Sequence, residues 1–282
     1  MASHGGADSH SEEGLRQRAE QWRADLASWA IPETILSQAP QPPWIHPVEM
    51  FTVDDDIPDS PSHALARQAL PAGGSVLDVG CGGGRAALAL VPPAGRVVGV
   101  DHQEAMLEAF AEAATRRGVE HSEILGEWLE VEPEVPSCDL VVCHHVAYNV
   151  ADIVSFLQSL DRHARRMVVL ELPVVHPLTH LNPLWKRLWN LDRPTRPTAH
   201  DLYAIAEAMG LHPQMETWID QSWGKRVQLP HAERVRYARI RLCLPPERDA
   251  EVAAALEAEA DAQPRQIATL WWQPTSPQAD HG

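Results

Sequence analysis

Short apolar strands alternate with helical segments through the middle of the chain, and this alternation limits the possible folds more than any other feature. It runs from a strand at residues 75–79, through a helix at 104–117, to a fifth strand at 166–171. Two further strands are predicted at residues 214–219 and 265–272. Strands that are apolar throughout are buried on both faces, as in a parallel sheet covered by helices on both sides. We therefore predict a doubly wound α/β fold.

The α/β domain is predicted to span residues 60–273, because Ser60 and Pro61 form a typical helix start at its beginning. Apolar residues at steps of three and four, followed by a proline-rich stretch, predict a helical extension or lid over residues 15–59. The polar ends, residues 1–14 and 274–282, are expected to be disordered. Residues 176–197 interrupt the alternation and are interpreted as an insertion that caps the substrate.

The charge of the chain narrows the range of partners. There are 23 Lys and Arg against 39 Asp and Glu, a formal net charge of -16, and no run of basic residues. Such a surface repels phosphate backbones and anionic lipids, so we expect neither nucleic acid nor a membrane as a partner. The four cysteines have no spacing typical of metal or redox motifs, which predicts reduced thiols in the cytoplasm and no metal site. The oligomeric state is left open between monomer and homodimer.

The most informative segment is Ser75–Gly84, a strand that enters a turn with alternating glycines beginning at Gly80. Glycine allows left-handed backbone angles and close approach of a ligand. A dinucleotide-binding turn would need a further glycine at position 85, which is Arg85 here. The pattern D-x-G-x-G-x-G, which starts at Asp78, resembles motif I of the class I methyltransferases that use S-adenosylmethionine.

This resemblance implies a Rossmann-like sheet of seven strands, mostly parallel with the last strand antiparallel, and S-adenosyl-L-methionine as the cofactor. Asp78 would meet the methionine ammonium, directly or through water. Asp101, about twenty residues beyond the glycines, would bind the ribose hydroxyls. Met106 would pack on the adenine, and Glu127 would stand where the family has an aspartate that contacts the adenine amino group. The expected cofactor-binding residues are Asp78, Gly80, Cys81, Gly82, Asp101, His102, Met106, Glu127, Trp128 and His144.

The reacting methyl group is expected beside the end of the fourth strand, since ligands of open parallel sheets lie where the strand order reverses. His145 follows that strand and can accept a proton near neutral pH, and His144 and Tyr148 are further candidates for catalysis. Strand alternation would allow at most one of the two histidines to face the cofactor. In the alternative, His144 supplies only backbone contacts, His145 orders the loop, and catalysis is by positioning alone.

Two segments are predicted to cover the acceptor: the stretch that begins at Trp44, and the insertion with His180, Trp185 and Trp189. These four residues are the candidate substrate contacts, although Trp185 and Trp189 could equally pack in a core. The Asn/Asp-Pro-Pro-aromatic tetrapeptide of enzymes that methylate DNA or protein glutamine is absent after the fourth strand. We therefore expect an O or N atom of a small molecule as the acceptor.

Two other functions remain open from the sequence: a non-catalytic protein that binds S-adenosylmethionine, and a nicotinamide-dependent oxidoreductase. Arg85, in place of the glycine of a dinucleotide turn, argues against the oxidoreductase. A metal-dependent enzyme of the catechol type would need acidic residues beside the fourth strand, and that group is not evident. The whole chain also resembles uncharacterised methyltransferases of actinobacterial type, which does not indicate a substrate.

Overall fold

A computed structural model describes residues 5–44, 57–220, 230–258 and 265–275. Seven strands form one sheet in the order β3-β2-β1-β4-β5-β7-β6. The strands are Ser75–Val79 (β1), Arg96–Asp101 (β2), Glu120–Leu125 (β3), Cys138–His144 (β4), Ala164–Pro173 (β5), Gln214–Ile219 (β6) and Gln266–Trp272 (β7). Strands β1 to β5 pair in parallel, and β7 is antiparallel to both of its neighbours, β5 and β6. The predicted Rossmann-like fold is confirmed, with the reversal of strand order between β1 and β4.

Helices cover both faces of this sheet. The helices are Gly5–Ala27 (α1), Glu33–Leu36 (α2), Pro61–Ala69 (α3), Arg85–Leu88 (α4), Glu104–Arg117 (α5), Trp128–Val131 (α6), Ile153–His163 (α7), Asn182–Trp189 (α8), Ala199–Ala208 (α9), His231–Arg241 (α10) and Asp249–Ala258 (α11). Residues of α3, α4 and α5 share one apolar core with Val142 of β4, and residues of α1, α7 and α9 share another with Val141. Consecutive strand residues point to opposite faces, so these are the two layers around the sheet.

Local sequence signals explain where several helices begin. The Ser60 hydroxyl accepts a hydrogen bond from the His63 N–H at 3.2 Å, and Pro61 takes the first helical position of α3. Thr198 and Asp201 form a capping box at the start of α9. The start at Ser60 agrees with the prediction, and both starts depend on residues only three positions apart.

The insertions pack into a helical group with its own apolar core, which we call the insertion cluster: helices α2, α8, α10 and α11. Leu184 of α8, Val235 of α10 and Val252 of α11 are among its buried residues, each at most 5% exposed. These helices come from three separate stretches of the chain. The core of this cluster is distinct from the two cores that cover the sheet.

The N-terminal helix begins earlier than predicted. Helix α1 starts at Gly5, within the segment 1–14 for which disorder was expected. Its Trp22 is 1% exposed, donates its indole N–H to the Val150 carbonyl at 2.9 Å and stacks on Tyr148. At the other end of the chain, the Thr275 hydroxyl donates to Asp161 at 2.7 Å. Across the described residues, no helix combines the length and apolarity needed to cross a membrane.

Candidate active site

The glycine turn packs against the loop that follows β4. Gly80, Gly82 and Gly84 have φ angles of 71°, 50° and 90°, a region that residues with a side chain rarely adopt. A Cβ added at Gly80 would lie 2.4 Å from Cγ2 of Val146. Glycine is therefore required at position 80 both for the backbone angle and for the close contact with Val146.

Asp101 ends β2 at the edge of this turn, and its side chain is 9% exposed. One carboxylate oxygen accepts the Gly82 N–H and the other accepts the Gln103 N–H, each at 3.0 Å. A carboxylate has about four acceptor positions, so two remain after these bonds. An oriented carboxylate with two remaining positions fits the ribose diol of S-adenosylmethionine.

The side chains of Asp78 and Cys81 are both buried. Asp78 is 1% exposed and its carboxylate accepts the Ala87 N–H at 3.1 Å, which ties α4 to β1. Burial raises the pKa of Asp78 to about 7, although the bond from Ala87 opposes the shift. Cys81 is also buried, and burial raises the pKa of its thiol. The Asp78 carboxylate is thus engaged by Ala87 and the Cys81 thiol is buried, and the expected contact of Asp78 with the methionine ammonium, directly or through water, stays a prediction.

The residues expected to lie near the adenine differ in their exposure to solvent. Met106 is buried, whereas Glu127 is exposed at the start of α6. Trp128, an expected cofactor contact, is 7% exposed and donates its indole N–H to the Ser159 hydroxyl in the core. His102 is exposed, with Nδ1 3.6 Å from the Asp101 carboxylate.

Two exposed apolar residues flank Glu127, and sequence reasoning did not select them. Leu125 at the end of β3 is 53% exposed, and Leu129 is 41% exposed. Exposed leucines next to an acidic residue offer an apolar surface for a flat ring together with a hydrogen-bond acceptor. They are better placed to contact the adenine than Trp128 is.

His144 ends β4 on the face covered by α3, where its ring stacks on that of His63 with 5.4 Å between centroids. Burial lowers the pKa of His144 to about 3, and it also lowers the pKa of His63. Both ring nitrogens of His63 and the Nε2 atom of His144 are buried without a hydrogen-bond partner. Unpartnered buried nitrogens are costly, so this pair lowers the stability of the fold where α3 meets β4.

His145 has a φ angle of 64°, and this left-handed backbone ends the strand. Its ring is 43% exposed, and Nε2 lies 3.3 Å from Oε1 of Glu171 on β5. His144 also approaches that oxygen, with Nδ1 at 3.9 Å. Strand geometry stops at residue 144, so the condition under which only one histidine would face the site is not met at His145. In the described part of the chain, no group of histidine, cysteine and acidic side chains is arranged to hold a metal ion.

Tyr148 serves the packing of the loop after β4. It is 5% exposed and its hydroxyl donates to the Pro173 carbonyl at 2.8 Å. Burial raises the pKa of this hydroxyl above its usual value. A buried phenol with a high pKa is a poor proton acceptor, so the arrangement does not support the catalytic role predicted for Tyr148.

The four predicted substrate contacts do not converge on one pocket. Trp185 is 4% exposed within the insertion cluster, and the Trp189 indole N–H donates to the Leu242 carbonyl at 2.7 Å. Both tryptophans therefore hold that cluster together, contrary to the prediction of pocket lining. His180 is exposed and its Nδ1 donates to the Pro177 carbonyl at 2.7 Å. Trp44 is 61% exposed, and residues 45–51 of the same predicted segment lie outside the described residues.

Three residues near the histidines were missed: Glu171, Ser60 and His63. The Ser60 hydroxyl donates to the Glu171 carboxylate at 3.0 Å, and His63 stacks on His144. The sequence does carry a signal for Glu171, because it is the only acidic residue of β5, which pairs with β4. For Ser60 and His63 the sequence carries no such signal, because their approach depends on how α3 packs on β4 and β5.

Comparisons with known proteins agree with this geometry. Residues 76–166 match the family model described as a methyltransferase domain. The fold is similar to a candidate sarcosine dimethylglycine methyltransferase of Galdieria sulphuraria, with 17% identity over 77% of this chain and 84% of that one and a TM-score of 0.51. It is equally similar to a cyclopropane-fatty-acyl-phospholipid synthase-like protein of Lactobacillus casei, with 17% identity, 75% and 89% coverage and a TM-score of 0.51. No curated protein matches the chain.

The matched domain, the strand order and the glycine turn define the class: the chain carries a class I, S-adenosylmethionine-dependent methyltransferase domain. It is a methyltransferase, and S-adenosylmethionine is its methyl donor. At identities this low, the similarity to the solved structures extends to the fold alone.

Proposed function

We propose that this methyltransferase transfers the methyl group to an O or N atom of a small-molecule acceptor, with His145 as the proton acceptor. The observation that carries the proposal is the position of His145, half-exposed at the end of β4 beside the glycine turn. The strand order reverses between β1 and β4, which is where ligands of such sheets lie. A histidine there meets the requirement for a base that works near neutral pH.

S-adenosylmethionine, when bound, supplies an electrophilic methyl group on sulfur. Asp101 would hold its ribose through the two remaining acceptor positions, and the glycines of the turn would allow the close approach of its methionine end. As the acceptor atom bonds to the methyl carbon and the carbon–sulfur bond breaks, His145 would take the proton that the acceptor loses. Positioning of the two reactants supplies the larger part of the rate, and a base adds roughly 10²–10⁴-fold.

The acidic composition supports a small acceptor over a nucleic acid, since the formal net charge is -16.

The test measures release of S-adenosylhomocysteine with a panel of small phenols, alcohols and amines. With an acceptor in hand, His145→Ala should lower turnover at least about tenfold while the affinity for S-adenosylhomocysteine stays within a few-fold. His144→Ala and Tyr148→Phe are the parallel variants, and Tyr148→Phe should keep turnover near that of the wild type. Wild-type turnover in His145→Ala would mean that catalysis depends on the positioning of the reactants alone.

A further inference from the structure

Glu171 lies where three segments of the chain meet. Its Oε1 is 3.3 Å from His145 Nε2, its Oε2 accepts the Ser60 hydroxyl at 3.0 Å, and its backbone carbonyl accepts the His145 N–H at 2.7 Å. We propose that Glu171 is the positioning residue of His145: it accepts the Nε2 proton and so leaves Nδ1 as the nitrogen that takes a proton from the methyl acceptor. This inference rests on the proposed function, because it specifies how His145 acts there.

The burial of Glu171 supports this assignment. Its side chain is only 10% exposed, and an isolated buried carboxylate is strongly unfavourable unless it is paired. Each of its oxygens faces a donor, one on Ser60 of the α3 start and one on His145. Burial raises the pKa of Glu171, but the contact with His145 opposes that effect, and the pKa lies well below its usual value. An ionised carboxylate is thus available to fix the tautomer of a histidine ring.

The backbone of His145 adds an independent observation. A φ angle of 64° is unfavourable for a residue with a side chain. This conformation turns the ring back toward β5, where it meets the carboxylate. Strained angles persist where the surrounding structure holds them, and residue 145 is held to residue 171 by both its backbone and its ring.

The other charged or titratable groups that face this pair do not substitute for Glu171. His144 of β4 and His63 of α3 are buried, and burial lowers the pKa of each, so both are neutral near pH 7. Asp59, before α3, is paired with Arg67 at 3.3 Å. Arg85 of α4 acts electrostatically on both buried histidines and lowers their pKa further. Glu171 is therefore the anion in direct contact with the His145 ring.

The test is the tautomer of the histidine rings, read by nuclear magnetic resonance, with His145 assigned from the signal that His145→Gln removes. In the wild-type protein we expect the Nε2–H tautomer of His145. Glu171→Gln should shift the tautomer toward Nδ1–H, because the facing charged acceptor is lost. His121 is the internal control: its Nδ1 lies 2.7 Å from Glu123, and its tautomer should stay unchanged in Glu171→Gln.

A second variant, Glu171→Asp, keeps the charge but withdraws the carboxylate by about one bond length, and it should lose the tautomer preference. An unchanged tautomer of His145 in both variants would overturn the inference, whatever the turnover. Wild-type turnover in His145→Ala, with a tautomer that does depend on Glu171, would instead overturn the proposed function and leave the pairing intact. The two failures are thus distinguishable.

Discussion

Asp101→Asn is expected to weaken the binding of S-adenosylhomocysteine by roughly 10- to 150-fold. In the structure each carboxylate oxygen accepts one backbone N–H, from Gly82 and from Gln103. An asparagine side chain has one oxygen and one NH₂ group, so in either orientation its nitrogen faces one of these donors. The variant loses one charged acceptor toward the ribose and gains an unfavourable contact between two donors at the turn.

The magnitude follows from the single bond that is lost. A hydrogen bond to a charged group contributes about 1.5–3 kcal/mol, and each 1.4 kcal/mol changes the dissociation constant about tenfold. Titration calorimetry with S-adenosylhomocysteine measures the change directly. Thermal unfolding of the same variant separates loss of affinity from loss of the fold.

Asp139→Asn is the matched control. The Asp139 carboxylate also accepts a backbone N–H, that of Ser75 at 2.8 Å, but it lies at the amino ends of β1 and β4, opposite the site. This variant should lose stability and keep its affinity for S-adenosylhomocysteine. Equal losses of affinity in Asp101→Asn and Asp139→Asn, or none in either, would refute the assignment of Asp101 to the ribose.

Three further predictions test other parts of the site. Asp78→Asn should change the affinity for S-adenosylhomocysteine by less than about threefold, because the carboxylate is buried against α4. A loss of affinity beyond tenfold in calorimetry would show instead that Asp78 contacts the ligand. Gly80→Ala should lower the free energy of unfolding by about 1–3 kcal/mol in urea titrations, and Val146→Ala should restore part of it by making room for the new Cβ. Burial lowers the pKa of His144 to about 3. Below pH 6.5 the unfolded chain therefore binds a proton at this histidine that the folded chain does not bind, and the free energy of unfolding decreases as the pH falls. His144→Phe should reduce that slope by up to about 1.4 kcal/mol per pH unit between pH 6 and 4, and an unchanged slope in urea titrations would contradict the assignment.

The elements were predictable where their signals are local. Helix α5 has the predicted bounds, Glu104–Arg117, because an apolar face and Gly118 at its end define it within one stretch of sequence. Strands β6 and β7 were placed to within a residue for similar reasons. The start of α1 at Gly5 was not predicted, since its first residues are polar and give no helical periodicity.

The site was predictable in position but not in detail. The position of His145 directly after β4 follows from the topology. The contact of His145 with Glu171 depends on the register of β4 with β5 and on a left-handed backbone angle at residue 145. The sequence left the packing of Trp189 undecided between a pocket and a core for a related reason. Its partner, the Leu242 carbonyl, is 53 residues away in sequence, and no local pattern reports such a contact.

The insertion cluster has a consequence for how the molecule folds and opens. Its core joins α2, α8 and the pair α10 and α11, which come from three separate stretches of the chain. These stretches can meet only after the sheet has formed, because closing several long loops is unfavourable until other contacts hold their ends. The cluster therefore consolidates late in folding and opens first on heating. Its amide hydrogens would exchange with solvent ahead of those of the central strands, and mild proteolysis would enter the chain there.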